Sequence, residues 1–241
     1  MIGNVRRRIA LATRSLLVGS VICVWLSQPS LAQIRKVDDA SLENLINVSK
    51  VAVATLAKIG QPISEADRTS LLAAWELSGD EAKGKIQDIM DRYCWLEIRI
   101  DEEAWLRVNV ANPNPSNRPL AQDKWKAFLV KVYNESPVKA EINVRSPQDL
   151  TPDELKAAEA GQPAPDAPDS WYRWLGVKVY PNATAIKELP GSMVRYLVLG
   201  IFSRDEGLRA ADLEFYFGGG VVSQGHNVNT RLLFEVVPAA K

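Results

Sequence analysis

The stretch Ile86-Gln87-Asp88-Ile89-Met90-Asp91-Arg92-Tyr93-Cys94-Trp95-Leu96-Glu97-Ile98-Arg99-Ile100 decides the fold, because the hydrophobic period changes inside it. Ile86, Ile89, Met90 and Tyr93 recur at three- and four-residue spacing, which marks one face of a helix. From Trp95 onward, Leu96, Ile98 and Ile100 alternate with Glu97 and Arg99, the two-residue period of a half-buried strand. Upstream of this switch the chain reads as helical. Downstream it reads mostly as β.

The helical part holds three elements. Asp38 or Asp39 is positioned to cap a helix carrying Leu42, Leu45, Ile46, Val53 and Leu56, which Gly60 and Pro62 end. Ser64-Glu65-Ala66-Asp67 is a near capping box, with Asp67 where Glu or Gln is usual. It opens a second helix with Leu71, Leu72 and Trp75 that breaks at Gly79. The third runs from about Asp80 to Tyr93.

In the β part, Trp105 to Val110 can form a second strand, and the proline-rich run from 112 to 119 is a loop. Phe128, Val130 and Val132 alternate in the next strand. Asn134-Glu135-Ser136-Pro137 turns the chain, and Val138 to Val144 returns. Thr151-Pro152-Asp153-Glu154 starts a short helix, with Thr at the cap and Pro at the first position. Gly176 to Tyr180 is a strand. Met193 to Phe202, apolar on both faces apart from Arg195, is a central one. Leu213, Phe215 and Phe217 alternate, and Leu232 to Val237 closes the domain. About eight short strands with turn signals between them predict an α+β chain: an N-terminal helical segment (33–94) and an antiparallel, immunoglobulin-like β-sandwich (95–241).

The first 32 residues are a separate element. Arg6, Arg7, Arg8 and Arg14 precede an uncharged run from Ser15 to Leu26, and Ser30-Leu31-Ala32 supplies small residues at −3 and −1. A basic start, a short apolar core and a small-x-small exit is a secretory signal peptide, cleaved near Ala32-Gln33. The run is shorter than the ~20 residues a membrane helix needs. The alternative is an uncleaved anchor. Cleavage implies a secreted or periplasmic protein with no stable membrane span.

Composition narrows the chemistry. The 29 basic residues lose the four leader arginines, leaving 25 against 29 acids. A mildly acidic chain without a basic block is a poor nucleic-acid binder. Cys23 leaves with the leader, so Cys94 cannot form an intramolecular disulfide and reads as a buried structural thiol. His226 is the single histidine, in a polar loop, and zinc or iron sites usually recruit several His or Cys. No metal, cofactor or catalytic residue is assigned. Gly218-Gly219-Gly220 lacks the Lys-Ser/Thr ending of a phosphate loop. Ser203-Arg204-Asp205-Glu206-Gly207 reads as a hairpin or loop turn without a calcium-loop pattern. Glu102-Glu103, as adjacent strand residues, point to opposite faces and do not make a two-carboxylate site. Asn47, Asn134 and Asn182 begin sequons, the second disfavoured by Pro137.

Six tryptophans remain after the leader, and Trp rings stack on sugars. Trp171, Tyr172 and Trp174, just after a proline-rich loop, form the candidate ligand patch. The competing reading places these rings in the core.

Three stretches together carry a resemblance: Tyr93-Cys94-Trp95-Leu96-Glu97-Ile98-Arg99-Ile100, the run Trp125 to Glu135, and the run Tyr196 to Gly207. They resemble the N-terminal, non-catalytic, β-rich region of secreted planctomycete proteins whose hydrolase domain is metal-dependent, carbaryl-hydrolase-like and PHP-related. The similarity spans roughly Ile86 to Pro238. That hydrolase portion needs several histidines, so no catalytic residue carries over, and the resemblance implies a free-standing copy of the accessory region. The expected function is a non-enzymatic interaction or accessory module whose partner is an envelope protein or glycan. The alternatives are a carbohydrate-binding module using surface tryptophans and a hydrolase with an unrecognised acidic site.

Overall fold

The structure is a computed structural model that describes residues 34–111, 113–137, 141–163, 170–180, 193–218 and 227–239. The signal segment, His226, Asn182 and Gly219-Gly220 lie outside the described residues.

Three helices come first: α1 Leu42–Lys58, α2 Glu65–Trp75 and α3 Gly79–Asp91. The α1 cap is Ser41, whose hydroxyl accepts from Asn44 N–H, not Asp38 or Asp39. Those aspartates are engaged elsewhere: the Asp38 carbonyl accepts from Lys83 Nζ at 3.0 Å, and the Asp39 carboxylate accepts from Tyr133 O–H at 2.8 Å. Ser64 caps α2 through the Asp67 N–H, as its sequence predicts.

Nine strands follow among the described residues: β1 Cys94–Ile100, β2 Leu106–Val110, β3 Leu120–Ala121, β4 Trp125–Asn134, β5 Glu141–Arg145, β6 Leu175–Tyr180, β7 Met193–Ser203, β8 Gly207–Gly218 and β9 Val228–Val237. Helix α4, Pro152–Glu159, lies between β5 and β6 and carries the predicted capping box. One sheet has the order β2-β1-β4-β7-β6, the other β3-β9-β8-β5. The chain is therefore α+β, with two sheets facing each other.

The sheets are mixed, which corrects the expectation of antiparallel pairing throughout. β1 runs parallel to β4, and β3 parallel to β9. A hairpin places β2 on one side of β1. The chain then detours through β3 in the opposite sheet before returning as β4 on the other side of β1, and such a long crossover permits parallel pairing. One local turn also differs from its sequence reading. β5 does not return beside β4 but pairs with β8 across the sandwich. Residues 203–207 take the loop-turn alternative of their sequence reading: they carry the chain from β7 in one sheet to β8 in the other, with Gly207 at φ 91°.

The core explains this layering. Trp95, Leu96, Ile98, Phe128, Val130, Leu199, Ile201, Leu213, Phe215 and Phe234 fill the space between the sheets. A second cluster joins the helices to the outer face of the five-stranded sheet: Leu45, Leu56, Leu71, Ile86 and Met90 meet Leu129, Val194, Tyr196 and Val198. β7 is thus buried on both faces, which is why its sequence is almost uniformly apolar. Helices and sheets belong to one compact unit, Leu31–Lys241.

Candidate functional site

The structure separates the three aromatic residues that the sequence groups as a patch. Trp171 is 80% exposed, Tyr172 is half-buried, and Trp174 is 5% exposed. Trp174 packs edge-on against Phe234 at 5.9 Å inside the sandwich, so it cannot belong to a surface platform. The cause is its position: it directly precedes β6 and enters the core with Leu175. Trp171 and Tyr172 remain together, in edge-to-face contact at 5.4 Å.

The turn that presents them is held at several points. Arg173 makes a two-pronged bond to the Glu154 carboxylate, at 2.8 and 2.9 Å. Glu154 also closes the α4 capping box through Thr151 N–H at 2.8 Å. The Arg173 bonds hold the Glu154 carboxyl down at about 2. Arg204 donates to the carbonyls of Ser170 and Arg173, at 3.0 and 2.6 Å, and its N–H donates to the Trp174 carbonyl at 2.9 Å. Trp171 therefore projects into solvent from a turn whose neighbouring residues are held.

A second constellation escaped the sequence reading. Lys131, on β4, is fully buried. Its ammonium donates to the Arg35 carbonyl at 2.8 Å, Gln87 Oε1 at 2.9 Å and Asp91 Oδ2 at 2.8 Å, using all three donors. Tyr196 O–H donates to Asp91 Oδ1 at 3.0 Å. Burial pushes the Asp91 carboxyl up to about 6, against the opposing pull of Lys131 and Tyr196. Gln87 also exchanges bonds with the backbone of Val37, at 2.9 and 3.1 Å. The traceable signal is the i, i+4 pair Gln87 and Asp91 on one face of α3, with Lys131 flanked by Val130 and Val132 in β4. This network is satisfied internally and locks the segment at 34–37 onto the sheet.

The other candidates resolve into structural roles. Cys94 is fully buried, its thiol is pushed up by burial, and it points at the Met90 carbonyl. Glu102 and Glu103 lie in the turn between β1 and β2, not in a strand. Asn134 is fully buried, closing that sequon to a glycan, and its Oδ1 accepts from Ser136 N–H at 3.0 Å. A small cleft of about 220 Å³ is lined by Leu56, Gln61, Pro62, Tyr93, Ala127 and Leu129. The Gln61 amide beside it pairs with the stretch of β4 that extends past β1, donating to Trp125 O at 3.0 Å and accepting from Ala127 N–H at 2.8 Å. Among the described residues, no group of three His, Cys, Asp or Glu is placed to hold a metal ion. Nor is any helix among them long and apolar enough to cross a membrane.

The outer face of the four-stranded sheet is different. Leu208, Leu233 and Val237 are 67%, 48% and 38% exposed. Leu208 pairs with Glu235, so Leu233 and Val237, two residues either side of that glutamate, are its diagonal neighbours. Three apolar side chains therefore cluster on a solvent-facing sheet.

No family model matches the chain, and no curated protein matches it. One similar solved chain comes from a structure of a chaperone–tip adhesin complex in CFA/I fimbriae biogenesis. It is 17% identical, the match covers 51% of this chain and 55% of that chain, and the TM-score is 0.26. The chain spans about half the length of that neighbour, and a likeness of this strength carries no functional argument.

Proposed function

We propose that this chain is a secreted or periplasmic, non-enzymatic interaction module whose partner is a protein of the cell envelope. The observation that carries the reading is the asymmetry of the sandwich. Helices cover the outer face of the five-stranded sheet, while the outer face of the other sheet carries the exposed Leu208, Leu233 and Val237. Apolar side chains clustered on an exposed sheet face are characteristic of protein contact surfaces. The sequence resemblance to an accessory region and the signal-like leader agree with this placement.

The test uses the compact unit from Leu31 as bait against the native envelope fraction, beside Leu208→Glu and Leu233→Glu variants. The reading predicts a specific protein that the wild-type chain retains and both variants release. A retained protein indifferent to both substitutions, or no retention, overturns it.

A second reading, glycan binding, draws on one observation: the exposed, rigidly mounted Trp171 beside Tyr172. It predicts glycan enrichment that Trp171→Ala abolishes. Iodide must also quench a tryptophan of the native protein, and a fully shielded emission removes this reading.

A further inference from the structure

We propose that Arg118 and Lys126 form a niche for a single oxyanion group, a carboxylate or a phosphate-type group carried by the chain's ligand. The niche uses residues other than the exposed leucine cluster, so the two readings can fail separately.

Lys126 shares the inward face of β4 with Phe128, and its ammonium lies 5.7 Å from that ring. Phe128 is 4.6 Å from Trp95 in the sandwich core. The Lys126 ammonium donates to the Pro119 carbonyl at 2.7 Å. Arg118, the residue before Pro119, donates to the Cys94 carbonyl at 2.9 Å. Both cations are thus half-buried and fastened to backbone at the rim of an aromatic core.

Neither forms an ion pair with a carboxylate of the described residues. Lys131 pairs with Asp91, Arg173 with Glu154 and Arg204 with Asp205, whereas Lys178, half-buried and without an ion pair among the described residues, lies 3.5 Å from the Trp125 ring centroid. Backbone carbonyls offset only part of a full charge, so partly buried cations ordinarily recruit an acid. Lys126 is bonded to the carbonyl of Pro119, the residue after Arg118, so two like charges sit at the same rim. Burial lowers the affinity of both for their protons, and Arg118 lowers that of Lys126 further. An anion placed between them removes the repulsion and meets donors left over from the two backbone bonds. The guanidinium fork suits a carboxylate or phosphate in two-pronged geometry. The apolar rim strengthens the attraction relative to open water.

The experiment is a ¹H–¹⁵N NMR titration of the unit from Leu31 with sodium phosphate and, separately, sodium acetate, each at ionic strength fixed with chloride. Amide signals of Cys94, Trp95, Arg118 and Phe128 should shift saturably. Lys126→Gln and Arg118→Gln should each weaken binding about fivefold or more, the equivalent of one close charge contact. Lys126→Arg should retain it, and Lys124→Gln should leave it unchanged. Saturation by phosphate alone assigns a phosphate-type ligand; saturation by both anions extends the niche to carboxylates. Shifts that stay linear with both anions overturn the proposal. So does binding that survives Lys126→Gln in a variant whose remaining spectrum is unchanged.

Discussion

Replacing Lys131 with methionine isolates the buried network that ties the helices to the sheet. The substitution keeps an unbranched side chain of similar length but removes the charge and three donors. The Arg35 carbonyl loses its described partner, and Gln87 Oε1 retains the Val37 N–H. The Asp91 carboxyl, with only 13% of its side chain exposed, is left with Tyr196 as donor and no cation. Breaking one side of a buried pair costs about 3–5 kcal/mol, mostly from the stranded charge. The deficit must depend on pH. Asp91 is already raised to about 6 in the folded chain, and losing Lys131 raises it further. A carboxyl whose folded pKa exceeds its unfolded value favours folding at low pH, and that contribution is lost as pH rises through the folded pKa. The variant can therefore neutralise Asp91 by taking up a proton, and its deficit at pH 5 should be smaller than at pH 7.5 by ~1 kcal/mol or more. Urea unfolding followed by tryptophan fluorescence at both pH values measures this. A deficit below about 1 kcal/mol, or one equal at both pH values, refutes the assignment of Lys131 and Asp91 as a buried charge pair.

Other expectations follow from the same geometry. Trp174→Ala should destabilise by about 3–5 kcal/mol because it empties a core site, while Trp171→Ala should change stability by less than about 0.5 kcal/mol. Denaturant melts separate the two. Gly200→Ala places a Cβ 2.7 Å from Tyr180 Cε2 and 3.2 Å from both Lys178 Cγ and Trp125 Cε3. The loss in the same assay should be about 1–3 kcal/mol, since the rings must move away from β7. Asp149, like Asp91, is raised to about 6 by burial, so both groups favour folding below that value and lose the contribution as pH rises through it. Glu154, held at about 2, contributes fully above its unfolded range and does not change between pH 5 and 7.5. The urea midpoint of the wild-type chain should accordingly be higher at pH 5 than at pH 7.5, and Asp149→Asn should shrink the difference.

The elements were legible because their signals are local. The shift of period between Tyr93 and Leu96 places the end of α3 and the start of β1, and Thr151-Pro152-Asp153-Glu154 places α4 and its capping box. Strand partners were less legible, because pairing depends on contacts far apart in sequence. Nothing near Val138–Val144 says that β5 crosses to β8 rather than folding back on β4. The aromatic patch failed for a related reason. Trp171 and Trp174 stand three residues apart in one turn, and only the entry of β6 into the core decides that one is solvated and the other buried. Lys131 was missed because a charge in an alternating strand reads as a solvated position. That reading fails once helices cover the second face of the sheet.

The helical layer has a consequence for where a partner can bind. Ile34, Val37 and Ala40 are buried, and the backbone of residues 35 and 37 is held by Glu97, Lys131 and Gln87. The segment following the predicted cleavage site is thus part of the seal over the five-stranded sheet. Opening that face would break the three bonds that hold the Lys131 ammonium and wet the buried side chains of Ile34 and Val37, which costs free energy in proportion to the apolar area exposed. A partner that needed this face would have to offset that loss, together with the apolar burial of α1 and α3. The exposed face of the other sheet, the Trp171 turn and the rim at Arg118 and Lys126 require no such opening. A ligand that uses any of them meets a surface already in place, and this is the physical reason for locating recognition there.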